Sequence, residues 1–116
     1  MFYMTAEGDI DGALNLKVEG EFIDIPLREV VFVESFGNYV KVVTHEKTYL
    51  TQFTTKGIEA LLPEPHFIRI HKSYIINKHN IIKIEHDAVV MSNLVLPIGK
   101  TYKQYFLKLI SKDNQV

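Results

Sequence analysis

Polar and apolar positions alternate with a short period along most of this chain, and turn residues interrupt them at short intervals. Residues 14–18 and 22–25 form two such runs around Glu19-Gly20-Glu21, which predicts a hairpin. Pro26 ends the second run, because a proline has no backbone N–H for a ladder. Residues 30–35 are apolar for four positions running and rich in β-branched and aromatic side chains, the pattern of a strand covered on both faces. Gly37-Asn38 predicts a turn, since both residue types tolerate positive φ. Residues 39–44 and 48–53 then pair across His45-Glu46-Lys47. Further strands are predicted at 67–70, 81–86, 88–91 and 94–96, while residues 73–76 read either as a strand or as a single helical turn.

Two segments carry helical signals. Residues 56–62 follow Thr54 and Thr55, either of which suits an N-cap, and Pro63 and Pro65 stop the run. Near the C-terminus Thr101 and Gln104 have the spacing of a capping box. Tyr102, Tyr105, Phe106, Leu109 and Ile110 then recur at helical spacing and predict one apolar face, with Lys108 and Lys112 placed to suit the helix dipole. The sum is a mainly β domain of short strands with one or two small helices, built as a sandwich or as stacked small sheets. Residues 1–12, with Gly8, Asp9, Asp11 and Gly12, read as a flexible lead-in, and residues 13–116 as one domain.

Composition narrows the chemistry. Apolar residues make up 47% and charged residues 23%, ordinary for a globular domain. There is no cysteine, which excludes disulfides, thiolate metal sites and cysteine nucleophiles. No apolar run reaches the roughly 20 residues that span a bilayer. Glu7, Asp9 and Asp11 stand where a signal peptide needs basic and apolar residues, so a cytoplasmic protein with no membrane partner is expected. The formal net charge of −1 hides an asymmetry. Residues 1–65 carry 5 Lys/Arg against 11 Asp/Glu, and residues 66–116 carry 8 against 3. A basic half attracts polyanions whatever the net charge.

The chain has no nucleophile elbow and no glycine-rich phosphate loop, so no enzyme activity and no cofactor are expected. His66, His71, His79 and His86 lie close in sequence but lack the spacing of a zinc site, so no metal is expected either. Pro63, Pro65 and the β-branched run after them oppose a helix-turn-helix. The aromatic residues mostly fall at expected core positions, unlike the exposed pairs of an RNA-recognition sheet. These observations leave a β domain with a basic half. A β-rich protein-interaction module that adds a partner strand at a sheet edge fits them too, with residues 30–33 and 81–84 as candidate edges.

Three segments together are more specific. They are Val33-Glu34-Ser35-Phe36-Gly37-Asn38-Tyr39-Val40, then Phe67-Ile68-Arg69-Ile70-His71-Lys72-Ser73-Tyr74-Ile75-Ile76-Asn77, then Leu96-Pro97-Ile98-Gly99-Lys100-Thr101-Tyr102-Lys103. In this order, and covering about residues 22–111, they resemble the LytTR family of bacterial DNA-binding domains. The resemblance implies an elongated stack of small, mostly antiparallel sheets, with roughly ten short strands and a C-terminal helix. It also implies sequence-specific binding of double-stranded DNA by loops in successive major grooves, in pairs on short direct repeats, so that a second copy is an expected partner. Members are usually the output modules of two-component response regulators in phosphorelay signalling. A receiver domain in cis and a sensor histidine kinase are therefore implied, and a cut-out output domain is expected because 116 residues leave no room for a receiver.

The resemblance also nominates residues. In the first segment Asn38 reads as a groove residue or as a plain turn asparagine, and Tyr39 as an interface or a core residue. In the second, Lys72 and Ser73 match positions near the DNA backbone, with Arg69 and His71 ordering the loop from behind. In the third, Lys100 matches a basic residue that reads a base edge, where lysine offers a point donor rather than arginine's fork. Tyr102 and Lys103 complete the set.

Overall fold

The computed structural model describes residues 10–113, and side chains as far as residue 111. Ten strands form three antiparallel sheets. β1 (Ala13–Val18) and β2 (Glu21–Pro26) make a hairpin. The central sheet has the order β5-β4-β3-β7-β6 and uses β3 (Val30–Phe36), β4 (Tyr39–Thr44), β5 (Thr48–Gln52), β6 (Phe67–His71) and β7 (Tyr74–Asn77). β8 (Ile81–Glu85), β9 (Ala88–Met91) and β10 (Leu94–Pro97) make the third sheet, with β9 in its middle. Helix α1 (Thr55–Leu61) follows β5, and α2 (Lys100–Asp113) ends the described chain. Residues 73–76, open between strand and helical turn on sequence grounds, lie in a turn and β7.

The central sheet is covered on both sides, which explains why β3 is so continuously apolar. Val33 of β3 and Val40 and Val42 of β4 pack with Leu14, Leu16 and Ile25 of the hairpin and with Ile58 of α1. Phe32 faces the other way, joining Ile68, Ile70 and Ile76 against Val89, Met91, Leu96 and Phe106 of α2. Alternation along a strand sends neighbours to opposite faces. A register shift between Val30 and Phe32 nevertheless puts Val30 with Val33 in the first core. Next to this bulge the buried Asn77 amide donates to the Val30 carbonyl at 2.9 Å. An orphaned buried carbonyl is costly, so a buried asparagine there is a stabilising choice. Thr51 Oγ1 donates to the Lys17 carbonyl at 2.7 Å and ties the hairpin to β5.

Several expectations change. Residues 30–33 lie in β3, between β4 and β7, so they present no free edge; residues 81–84 do lie on an outer strand, β8. The N-cap of α1 is Thr54, whose hydroxyl accepts from Gly57 N–H at 2.9 Å. Helix α2 begins at Lys100, so Thr101 lies inside the first turn and cannot be the cap residue of a capping box. Phe106 is fully buried and Leu109 and Ile110 pack beside it, but Tyr105 is exposed. Its hydroxyl donates instead to the Glu64 carboxylate at 2.9 and 3.0 Å. Of the lead-in expected over 1–12, residues 1–9 lie outside the described residues, as does the Lys112 side chain. Ile10 is buried in the first core, and the Gly12 carbonyl accepts from Leu27 N–H at 3.0 Å.

Candidate nucleic-acid interface

Two tight hairpins turn at the same end of the central sheet. β3 and β4 are joined by Gly37-Asn38, with Phe36 opposite Tyr39. Gly37 has φ 65°, while Asn38 is not among the residues with positive φ. Glycine alone at the left-handed first position fits a II′ turn, so the turn asparagine at positive φ is not what holds this loop. Asn38 is exposed and Tyr39 is 41% exposed, so Tyr39 is no core residue. β6 and β7 are joined by Lys72-Ser73. Since Ser35 N–H donates to the Ser73 carbonyl at 2.8 Å, the two turns lie side by side.

The start of α2 joins them. Gly99 N–H donates to the Ile70 carbonyl at 2.7 Å. A Cβ on Gly99 would lie 3.1 Å from Tyr102 Cδ2 and 3.5 Å from His71 Cα. Glycine thus serves close approach here rather than an unusual φ. Lys100, the first helical residue, is exposed and follows directly. Asn38 and Tyr39, then Lys72 and Ser73, then Lys100 therefore lie on adjoining segments: two turns at one end of the central sheet and a helix start bonded to β6.

Arg69 stands behind the second turn. Its Nε donates to the His71 carbonyl at 3.2 Å and its Nη2 to the Lys72 carbonyl at 2.6 Å. Nη1 pairs with Glu59 of α1 at 3.1 Å, and the guanidinium carbon lies 5.5 Å from the Tyr102 ring centroid. A planar fork can hold several acceptors at once and stack on a ring face, which lysine cannot do. His71 works in the other direction, because its Nδ1 accepts from Ser73 N–H at 3.0 Å. Its ring also lies 5.5 Å from that of Tyr74. Burial, followed by the neighbouring Glu34 carboxylate that its hydroxyl meets, raises the Tyr74 phenol above its ordinary range.

Lys103 is placed differently. Its ammonium pairs with Asp87 in the β8–β9 turn at 2.5 Å, and that turn is fixed because Ile98 N–H donates to the Asp87 carbonyl at 2.8 Å. The hydrogen bond and charge of Lys103 hold the Asp87 carboxyl below its usual range, with His86 and Lys100 pulling the same way. Sequence reasoning missed Glu59 and Asp87. Both act through space, and no local spacing announces them. It missed as well the exposed Phe36, 52% accessible, with Lys41 Nζ 4.4 Å from its ring centroid.

Among the histidines, His66 Nδ1 and His79 Nε2 share a 2.9 Å hydrogen bond. Among the described residues no group of three or more His, Asp or Glu is placed to hold a metal ion, and no helix is long and apolar enough to cross a membrane.

A doubly covered sheet that gathers two hairpin turns and a helix start, three of them bearing exposed polar or cationic residues, defines a loop-presenting β domain rather than a helix-presenting one. Comparison with known proteins specifies which. Residues 20–111 match the family described as the LytTr DNA-binding domain, and the chain belongs to that family. It is a DNA-binding domain of the kind found in transcription regulators, and the family is not one of enzymes. A solved LytTr DNA-binding domain, from a Bacillus cereus protein described as a methyl-accepting/DNA response regulator, superposes with a TM-score of 0.74. It is 29% identical, and the match covers 87% of this chain and 98% of that one. The sensory transduction protein LytT of Bacillus cereus is 27% identical over 103 residues, covering 84% of this chain and 42% of LytT. The transcriptional regulatory protein NatR of Bacillus subtilis is 32% identical over 75 residues, covering 65% of this chain and 32% of NatR. The chain thus spans less than half the length of LytT and of NatR.

Proposed function

We propose that this chain reads double-stranded DNA through its turns, as the output domain of a two-component response regulator. Asn38 and Lys100 meet base edges in the major groove, Lys72 and Ser73 meet phosphates, and Arg69, His71 and Tyr102 hold the second turn and the helix start in register. Tyr39 flanks the first turn, and Lys103 lies close enough to the helix start to be drawn to a phosphate. The observation that carries this reading is the convergence of the two hairpin turns and the α2 start, tied by the Ser35–Ser73 and Gly99–Ile70 hydrogen bonds. In the full response regulator, a receiver domain in cis and a sensor histidine kinase supply the switch. Two copies on short direct repeats supply avidity, which a single domain lacks.

The test is selection from a random duplex pool with this chain, followed by titration of the enriched duplex at two salt concentrations. Enrichment of a short motif, with affinity falling steeply as salt rises, is the expected result. No enrichment and salt-insensitive behaviour would replace this reading with strand addition at the outer edge of β8.

A further inference from the structure

We infer that Phe36 reads the C5-methyl group of a thymine in the major groove, with Lys41 above its ring neutralising a neighbouring phosphate. The inference rests on the turn-mediated DNA reading proposed above and adds one base-recognition chemistry to it.

Phe36 is the last residue of β3 and pairs with Tyr39 across the Gly37-Asn38 turn. It lies past the last core residue of its strand, Val33, and belongs to neither buried cluster. A ring left 52% exposed at a hairpin tip contributes little to folding, and its apolar surface stays in contact with water until a partner covers it. The other strongly exposed apolar side chains, Phe22, Ile82 and Val95, belong to other elements. Only Phe36 and Tyr39 flank the turn that carries Asn38.

The surroundings select the partner. Lys41 Nζ sits 4.4 Å from the Phe36 ring centroid, within cation–π range, so the ring carries a positive charge with it. The Ser35–Ser73 hydrogen bond sets the Lys72 turn alongside. Glu34 lies opposite Lys41 in the β3–β4 ladder and its carboxylate also accepts from the Tyr74 hydroxyl, so the Lys41 ammonium reaches past it to the ring. An apolar ring with an ammonium group over its face suits a polyanion with an apolar feature on it. In the major groove that feature is the thymine methyl, since the other base edges present donors and acceptors that a phenyl ring cannot answer.

The test replaces each thymine of the selected duplex in turn by deoxyuridine, which removes only the methyl group. Wild-type affinity should fall about fourfold at one or two positions, the factor carried by one buried methyl group. Phe36→Ala should bind the thymine and deoxyuridine duplexes equally there. Placing 5-iodo-deoxyuridine at the same position, where iodine stands in for the methyl, should give a photocross-link to wild-type protein that maps to Phe36. This second measurement needs no variant. A selected motif without thymine, a wild type indifferent to every methyl, an unchanged methyl dependence in Phe36→Ala, or a cross-link to another residue each overturns the inference. Those outcomes leave sequence-specific binding intact, whereas failure to enrich any motif removes the underlying reading as well.

Discussion

Arg69 donates through Nη2 to the carbonyl of Lys72, three residues further along the chain, at 2.6 Å. The residue that carries the exposed cation is thus gripped by its backbone, while its side chain stays free to reach outward. The grip is completed by Nε on the His71 carbonyl and anchored to α1 through Glu59.

Arg69→Lys should therefore weaken specific DNA binding without changing its salt dependence. Lysine preserves the charge but cannot hold both carbonyls and Glu59 together. Hydrogen bonds from a charged donor contribute about 1.5–3 kcal/mol each, so a measurable drop in thermal midpoint should accompany the loss of affinity. A parallel loss on non-specific DNA, with a shallower salt slope, would mean that Arg69 itself meets phosphate.

Lys72→Ala and Lys100→Ala should fail in different ways. Loss of a phosphate contact at Lys72 should weaken binding to all duplexes and reduce the salt slope by about 0.9. Loss of a base contact at Lys100 should cost about 1–3 kcal/mol on the selected duplex and relax preference at one base pair. Titrations against the selected duplex and a scrambled one, each at several salt concentrations, separate the two roles.

Asp87→Asn should tighten DNA binding. The Asp87 carboxylate occupies Lys103 and faces the helix start that carries Lys100. Exposed ion pairs add little to stability, because water and salt screen them. Removing this one should cost little stability and release Lys103 for phosphate, giving an affinity gain of a few-fold and a salt slope steeper by about one. Unchanged affinity and slope would show that Lys103 points away from bound DNA.

The His66–His79 pair predicts an acid limit. Burial, then the charge of Lys78, lowers the His66 pKa, while burial, His66 and Lys78 lower that of His79 to about 4. In the unfolded chain both rings return to about 6.5. Between 6.5 and about 4 the unfolded state binds more protons than the folded one, so stability falls as pH drops through this window and levels off below it. Thermal midpoints measured from pH 7.5 to 4 should show that decline, and His79→Gln should flatten it. Equal slopes in both proteins would remove the pair as its source.

The strands were legible in the sequence because alternation and turn residues coincide: Glu19-Gly20 and Gly37-Asn38 both stand at the turns they predict. The double burial of β3 was legible as well, since Val30, Val31, Phe32 and Val33 leave no polar face. The α2 cap was misread because Thr101 has the right spacing, yet Gly99 must approach His71 closely and the helix starts one residue beyond it. Tyr105 repeats at helical spacing but serves Glu64, 41 residues away, and periodicity carries no information about such a partner. Arg69 and Lys72 were found through resemblance to a family motif, whereas Glu59 and Asp87 required the folded chain.

The two cores lie on opposite faces of the central sheet, and β3, β6 and β7 each bury side chains in both. Backbone amides of β3 should accordingly exchange with deuterium only when the whole domain opens. The turns at Gly37-Asn38 and Lys72-Ser73 grow directly out of this slowest-opening part of the molecule. Fraying at the outer sheets should therefore leave their spacing undisturbed, so that a duplex read through them would meet the same ruler each time.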